Sequence, residues 1–180
     1  QEIMSDPSYA GQFIVFTMPE IGIVGTNDND MESSTIYASG MFVRSLNETP
    51  SNFRSQKSLP EFLKQHKSMG ICDIDTRYLT KMIRDSGPKM MIASTEVSDP
   101  EKLKAMLASS PRIEEVNYIE KVSTPKSYVH DHGVWNAESQ SYNATPKKLS
   151  KKILAVDLGI KHNILNELYE VGLDVEVVPH

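Results

Sequence analysis

One cysteine, Cys72, stands in Gly70-Ile71-Cys72-Asp73-Ile74-Asp75-Thr76-Arg77 with two aspartates just behind it. That spacing raises the possibility of a thiol nucleophile with acid/base partners. A nucleophilic cysteine needs a histidine in reach or a helix amino end to lower its pKa. Cys72 instead lies in an apolar run with Ile71 and Ile74, three residues ahead of a helix-capping position, so it is expected to be a buried core thiol. Asp75 is read as a helix cap rather than a general base. Arg77 falls in the first helical turn, where pairing with a carboxylate would be structural.

Other polar groups compete for chemical roles. His130-Asp131-His132 places two histidines on one face of an extended segment, as half of a metal site might. Zinc needs further ligands, and no Cys or His cluster accompanies them, so a solvated loop is expected. The Asn27–Ser33 run, NDNDMES, lacks the glycine and the distal glutamate of a calcium loop. Asn47-Glu48-Thr49 and Asn143-Ala144-Thr145 match the glycosylation sequon, which a cytoplasmic protein does not use. Val156-Asp157-Leu158-Gly159 is similar to the phosphate loop of actin-like ATPases, but it leads straight into a helix rather than a hairpin. Ser8, after Asp6-Pro7, reads locally as a turn residue. None of these establishes a catalytic centre.

The elements that would position these residues can be read from pattern. Residues 12–18 and 35–44 are predicted strands, with Gly40 at a bulge or a close approach. Ser58-Leu59-Pro60-Glu61 is a capping box opening a helix to about His66. Residues 69–74 are predicted as a buried strand, and a helix follows with Leu79, Met82 and Ile83 on its apolar face and Gly87 at its end. Residues 90–95 are predicted as another strand. Asp99-Pro100 opens a helix whose apolar face carries Leu103, Met106 and Leu107. From about 123 to 152 the chain turns to Ser, Thr, Pro and other polar residues, the composition of a linker. Residues 153–180 then read as strand, helix and strand, the opening of a parallel α/β sheet. A lone βαβ unit leaves one sheet face bare, so this piece must lean on something else or continue.

Composition narrows the class. Of the 180 residues, 39% are hydrophobic and 24% charged, as in a globular protein. A net charge of −5 without clustered Lys and Arg argues against a nucleic-acid partner. No run approaches the roughly 18 apolar residues of a membrane span, and no signal peptide is recognisable at the start. One cysteine cannot form an internal disulfide, which suits the cytoplasm.

Five blocks give a sharper reading: QEIMSDPSYAGQ (1–12), IGIVGTNDNDMES (21–33), PSNFR (50–54), GICDIDTRYLTKMIRDSG (70–87) and ILAVDLGIKHNIL (153–165). In this order and spacing the chain resembles the small, glutamine-hydrolysing subunit of carbamoyl-phosphate synthase. Ile23 and His162 depart from that family, which commonly has asparagine and arginine there. The resemblance implies a mixed α/β protein in three parts. Residues 1–130 would be a swivelling β/β/α domain, 131–152 a linker, and 153–180 the first β-α-β of a flavodoxin-like class I amidotransferase domain. It implies that the catalytic Cys, His and Glu lie past His180, that Cys72 is not catalytic, and that this portion alone is inactive. Ser8 would reach the bound glutamine. The large subunit would be the partner, ATP and Mg²⁺ would act there, and this chain would hold no cofactor. The ammonia would go into carbamoyl phosphate for arginine and pyrimidine synthesis. A stand-alone interaction domain, or a nucleotide-binding protein using Val156–Gly159, are the alternatives.

Overall fold

The structure, a computed structural model, describes residues 1–144 and 151–180. The end of the expected linker, residues 145–150, therefore lies outside the described residues, as does Thr145 of the second sequon.

The chain opens with a short helix α1 (Glu2–Ser5) and a 3-10 turn at Pro7–Tyr9, then forms β1 (Phe13–Val15). A long irregular segment, with a 3-10 turn at Asp28–Asp30, leads to β2 (Gly40–Phe42). Next come α2 (Leu59–Gln65), β3 (Met69–Ile71), α3 (Thr76–Ser86), α4 (Pro100–Ala108) and α5 (Ile119–Val122). β1, β2 and β3 form a parallel sheet in that order. Gly40 is a close approach: a Cβ there would meet the Phe13 ring at 2.4 Å and the Met69 carbonyl at 2.7 Å. Met4, Ala38, Met41, Val43, Leu59, Phe62 and Leu63 make the core beneath this sheet.

Strand β4 (Tyr128–Val129) precedes a hairpin of β5 (Trp135–Asn136) and β6 (Ser141–Tyr142). The chain closes on β7 (Lys151–Val156), α6 (His162–Glu170) and β8 (Leu173–Val178). β7 and β8 pair in parallel, and β4 adds to the far side of β8 in antiparallel register. Alternate residues of the strands turn inward, so Val175 and Val177 meet Leu165 of α6 in a second core. The opposite face is open, with Leu154 63% and Val156 52% exposed.

Local signals predicted the helix ends well. Ser58 and Glu61 form both halves of the capping box. Asp75 accepts from the Tyr78 N–H and Asp99 from the Glu101 N–H. Gly87, at φ +77°, follows the last residue of α3.

Three expectations fail. Residues 90–95 form no strand: their side chains favour extended backbone, but they join neither free edge of the β1-β2-β3 sheet, and a strand needs a ladder partner. β3 stops at Ile71 and is not buried, and Cys72 is exposed. The cause is topological, because β3 is an edge strand whose ladder ends at Ile71, and Asp73 takes a left-handed φ of +60° just beyond it, which leaves Cys72 past the end of the strand. The expected apolar faces of α3 and α4 are only half covered. Leu79, Ile83, Leu103 and Leu107 are partly buried, while Met82 and Met106 are exposed.

Candidate functional site

The loop after β7 is where the two halves of the molecule meet. Asp157 is buried, and its Oδ1 accepts from the Gly159 and Ile160 N–H groups at 2.9 Å each. Its Oδ2 accepts from the Thr124 N–H at 2.7 Å, tying this turn to the segment before β4. Gly159 has φ +99°, which L side chains avoid, and a Cβ there would press on Val122 and Pro7. The turn at Pro7–Tyr9 is thereby seated against the carboxyl end of β7.

Glu32, from the Asn27–Ser33 loop, completes the joint. Its Oε2 accepts from the Asn163 N–H at 3.0 Å and its carbonyl from the His162 N–H at 2.9 Å. The amino end of α6, which has no side-chain cap of its own, is thus capped by a carboxylate 131 residues away. Lys161 Nζ stands 3.6 Å from Glu32 Oε1 and 3.5 Å from Asp6 Oδ2. Burial works against the lysine charge, but the Glu32 and Asp6 carboxylates outweigh it and hold the Lys161 pKa above its usual value. The remaining backbone of Glu32 is anchored by its N–H donating to Ser5 Oγ at 2.9 Å.

Ser8 sits in this docked turn. Its backbone N–H donates to Asp6 Oδ1 at 2.9 Å, and its carbonyl accepts from Gln12 Nε2. This is the turn-forming geometry expected of Asp-Pro-Ser. The serine itself is exposed, and its hydroxyl makes no hydrogen bond among the described residues. Beside the turn lies a cleft of about 220 Å³ between Pro7, Ser34, Tyr37, Thr124, Asp157 and His162. Burial, and next the Asp157 charge, push the Tyr37 phenol above its usual pKa.

The other sequence candidates separate. Cys72 faces solvent with Asp73 Oδ2 at 3.8 Å from its Sγ and no histidine beside it. Arg77 is exposed and makes no ion pair among the described residues. In the Asn27–Ser33 loop the Asn27 Oδ1 caps the N–H groups of Asn29 and Asp30, and Asp30 pairs with Arg54 at 2.6 Å. Asn27 and Asp30 are thus spent on holding the loop. In Val156–Gly159 the amides a phosphate would need are taken by Asp157, and those of the following helix by Glu32, which argues against a nucleotide there. Asn47 accepts from the Thr49 N–H, and Asn143 Nδ2 donates to Glu170. Among the described residues no three His, Cys, Asp or Glu side chains converge as a metal site.

His130 overturns the solvated-loop reading. It is 5% exposed, and its Nε2 lies 2.9 Å from Asn166 Oδ1 on α6. No local signal marked it: His130 is the residue after β4, and the β8 pairing draws it inward, with its N–H donating to the Val175 carbonyl at 2.9 Å.

The sequence profile of the carbamoyl-phosphate synthase small chain, CPSase domain, matches residues 1–93, which include Ser8, Glu32 and the first sheet. The chain belongs to this family. Similar proteins include the carbamoyl phosphate synthase small chain of Campylobacter jejuni, 56% identical over all 180 residues and covering 48% of that protein. That of Helicobacter hepaticus is 50% identical over the whole chain and 47% of its own length. That of Synechococcus sp. is 38% identical over 99% of this chain and 45% of its own. This small-chain family member thus spans about half the length of the relatives it matches. No helix among its described residues is long and apolar enough to cross a membrane.

Proposed function

We propose that this chain is the amino-terminal portion of the glutaminase subunit of a cytoplasmic, glutamine-hydrolysing carbamoyl-phosphate synthase. In this reading residues 1–130 are the swivelling β/β/α domain facing a large synthetase subunit, 131–152 the linker, and 153–180 the start of a flavodoxin-like amidotransferase domain. Glutamine is hydrolysed by residues of the remaining part of the subunit. The ammonia passes to the large subunit, where ATP and Mg²⁺ are used and the product enters arginine and pyrimidine synthesis. This portion holds no cofactor and no catalytic residue.

The observation that carries the proposal is the docking of the Ser8 turn at the carboxyl end of β7, through Asp6–Lys161 and the Pro7–Gly159 contact. Open α/β sheets bind ligands outside the carboxyl ends of their strands. A free serine hydroxyl there can donate to the carboxylate of glutamine and accept from its ammonium.

The test is Ser8→Ala in the full-length subunit with its large partner. Loss of one hydrogen bond to a charged group costs about 1.5–3 kcal/mol, roughly ten- to over a hundredfold in kcat/KM for glutamine. The loss falls chiefly on KM, because a contact that only orients the substrate serves ground and transition states alike. Synthesis driven by added ammonia stays unchanged. A fall in both activities would make Ser8 a turn residue, and a fall in neither would remove it from the glutamine site.

A further inference from the structure

Between β4 and α6 a continuous pile of rings joins the two halves of the molecule. His130 stands edge-on to Tyr169 of α6 at 6.1 Å and lies 4.4 Å, centroid to centroid, from His132. His132 lies 4.6 Å from Tyr142, and Tyr142 meets Trp135 edge-on at 5.4 Å. The Arg54 guanidinium covers Trp135 at 4.8 Å and holds Asp30 on the amino-terminal side. The Tyr142 hydroxyl donates to the Asn29 carbonyl. The pile therefore runs from α6 to the Asn27–Asp30 loop.

Its weak point is the pair of imidazoles. The amide oxygen of Asn166 only accepts, so His130 Nε2 carries a hydrogen and the neutral ring is satisfied there. Neutral imidazoles pack against one another at this separation, here with their planes tilted by 46°, whereas two imidazolium rings repel, the more so because the inner one is buried. The charges facing the pair do not offset this. Asp131, on the same segment, bonds the outer ring at 2.8 Å through His132 Nδ1, and it is exposed. From the hairpin, Tyr142 is neutral, its phenol pushed up first by burial and then by Asp30 and Glu32. From α6, Asn166 and Tyr169 face His130, while Glu170 is turned to the Val134 N–H and the Asn143 amide. His162, at the start of α6, is coupled to His132, and Arg54 lies over Trp135, so these add only positive or neutral groups.

We propose that the His130–His132 stack is an acid-sensitive latch between the amino-terminal unit and the β7–α6–β8 unit, closed while at most one ring is charged and released when both are. This inference concerns the coupling of the two units and stands whatever reaction the subunit serves. Burial, and next the His132 charge, pull His130 below its ordinary 6.5, against the opposing pull of Asn166, the His132 backbone and Asp131. A histidine depressed in the closed state binds more protons once released. The closed state is therefore fully favoured above about pH 6.5 and loses ground below it. His162 is also pulled below 6.5, first by burial, so it acts in the same window and must be separated by mutation. Asp131, held below its ordinary 3.8 first by the His132 bond, matters only at much lower pH.

Hydrogen–deuterium exchange of the full-length polypeptide at pH 7.5, 6.5 and 5.5, corrected for the intrinsic rate, reads the latch directly. Protection of residues 128–143 should fall by up to about fivefold between pH 6.5 and 5.5, the linkage for one histidine that takes up its proton only on release, while α2 keeps its protection. His130→Gln cannot titrate yet still offers an amide to Asn166, and it should abolish the fall. His162→Asn should retain it. Protection that is flat with pH, or an equal fall in His130→Gln, overturns the latch, as does a fall that disappears in His162→Asn alone. If His130→Gln does not fold, imidazole NMR of the parent protein decides. Titration of His130 below 6.5 that moves when His132 is replaced by Gln supports the latch, and a His130 titration unaffected by that replacement refutes it.

Discussion

Strands β1, β2 and β3 pair over three residues each, whereas β7 and β8 run six residues in unbroken parallel register. The first sheet is short because its support is irregular: long connections are held by side-chain caps such as Asn27, and the core beneath is filled from α1, α2 and the loops. The second is regular but one-sided, with a core of three buried residues under α6 and a bare opposite face. Regular secondary structure and self-sufficiency are therefore different properties. The irregular unit closes its own core, and the regular unit is stabilised from outside by Glu32, by β4 and by the hairpin.

The strongest way to break this contrast is to hollow each core. Phe62→Ala should cost about 3–5 kcal/mol and Leu165→Ala about 2–5 kcal/mol, measured by denaturant unfolding. Because Glu32 and the ring pile couple the units, both variants should lower one shared transition. Two separate transitions in the parent protein would show that the units are independent. A second variant sharpens the point: Glu32→Ala removes the cap of α6 and one partner of Lys161. The half-exposed lysine limits the ionic share, so the loss is mainly the buried hydrogen bonding, about 1.5–3 kcal/mol, with faster exchange in the first turn of α6 than in α2. Unchanged α6 exchange would mean that the joint contributes nothing. The smallest effect belongs to Cys72, on the exposed edge beyond β3. Cys72→Ser should change stability by less than about 0.5 kcal/mol, and the thiol should react with a disulfide reagent in the native protein. A thiol that reacts only after unfolding would restore the buried reading.

Much of this was legible in the sequence where the determinants are local. The Ser58–Glu61 box, the Asp75 and Asp99 caps, Gly87 and the β7–α6–β8 pattern each depend on residues within a few positions of one another. The β1 and β2 segments are legible as extended runs, but each strand is only three residues long because its ends are set by pairing register. The docking of the Ser8 turn was not legible from residue pattern, because Asp6 and Lys161 meet only through the fold.

By itself the sequence determined the family, the helix caps and the periodicity of the last βαβ, because backbone hydrogen bonding and side-chain alternation are decided at short range. Tertiary structure alone decided which polar groups are buried. It exposed Cys72 by ending a strand at a sheet edge, buried His130 by pairing β4 with β8, and gave α6 a cap from Glu32. Burial is a property of what packs from elsewhere in the chain, and the same short stretch is core or surface according to the neighbour it meets.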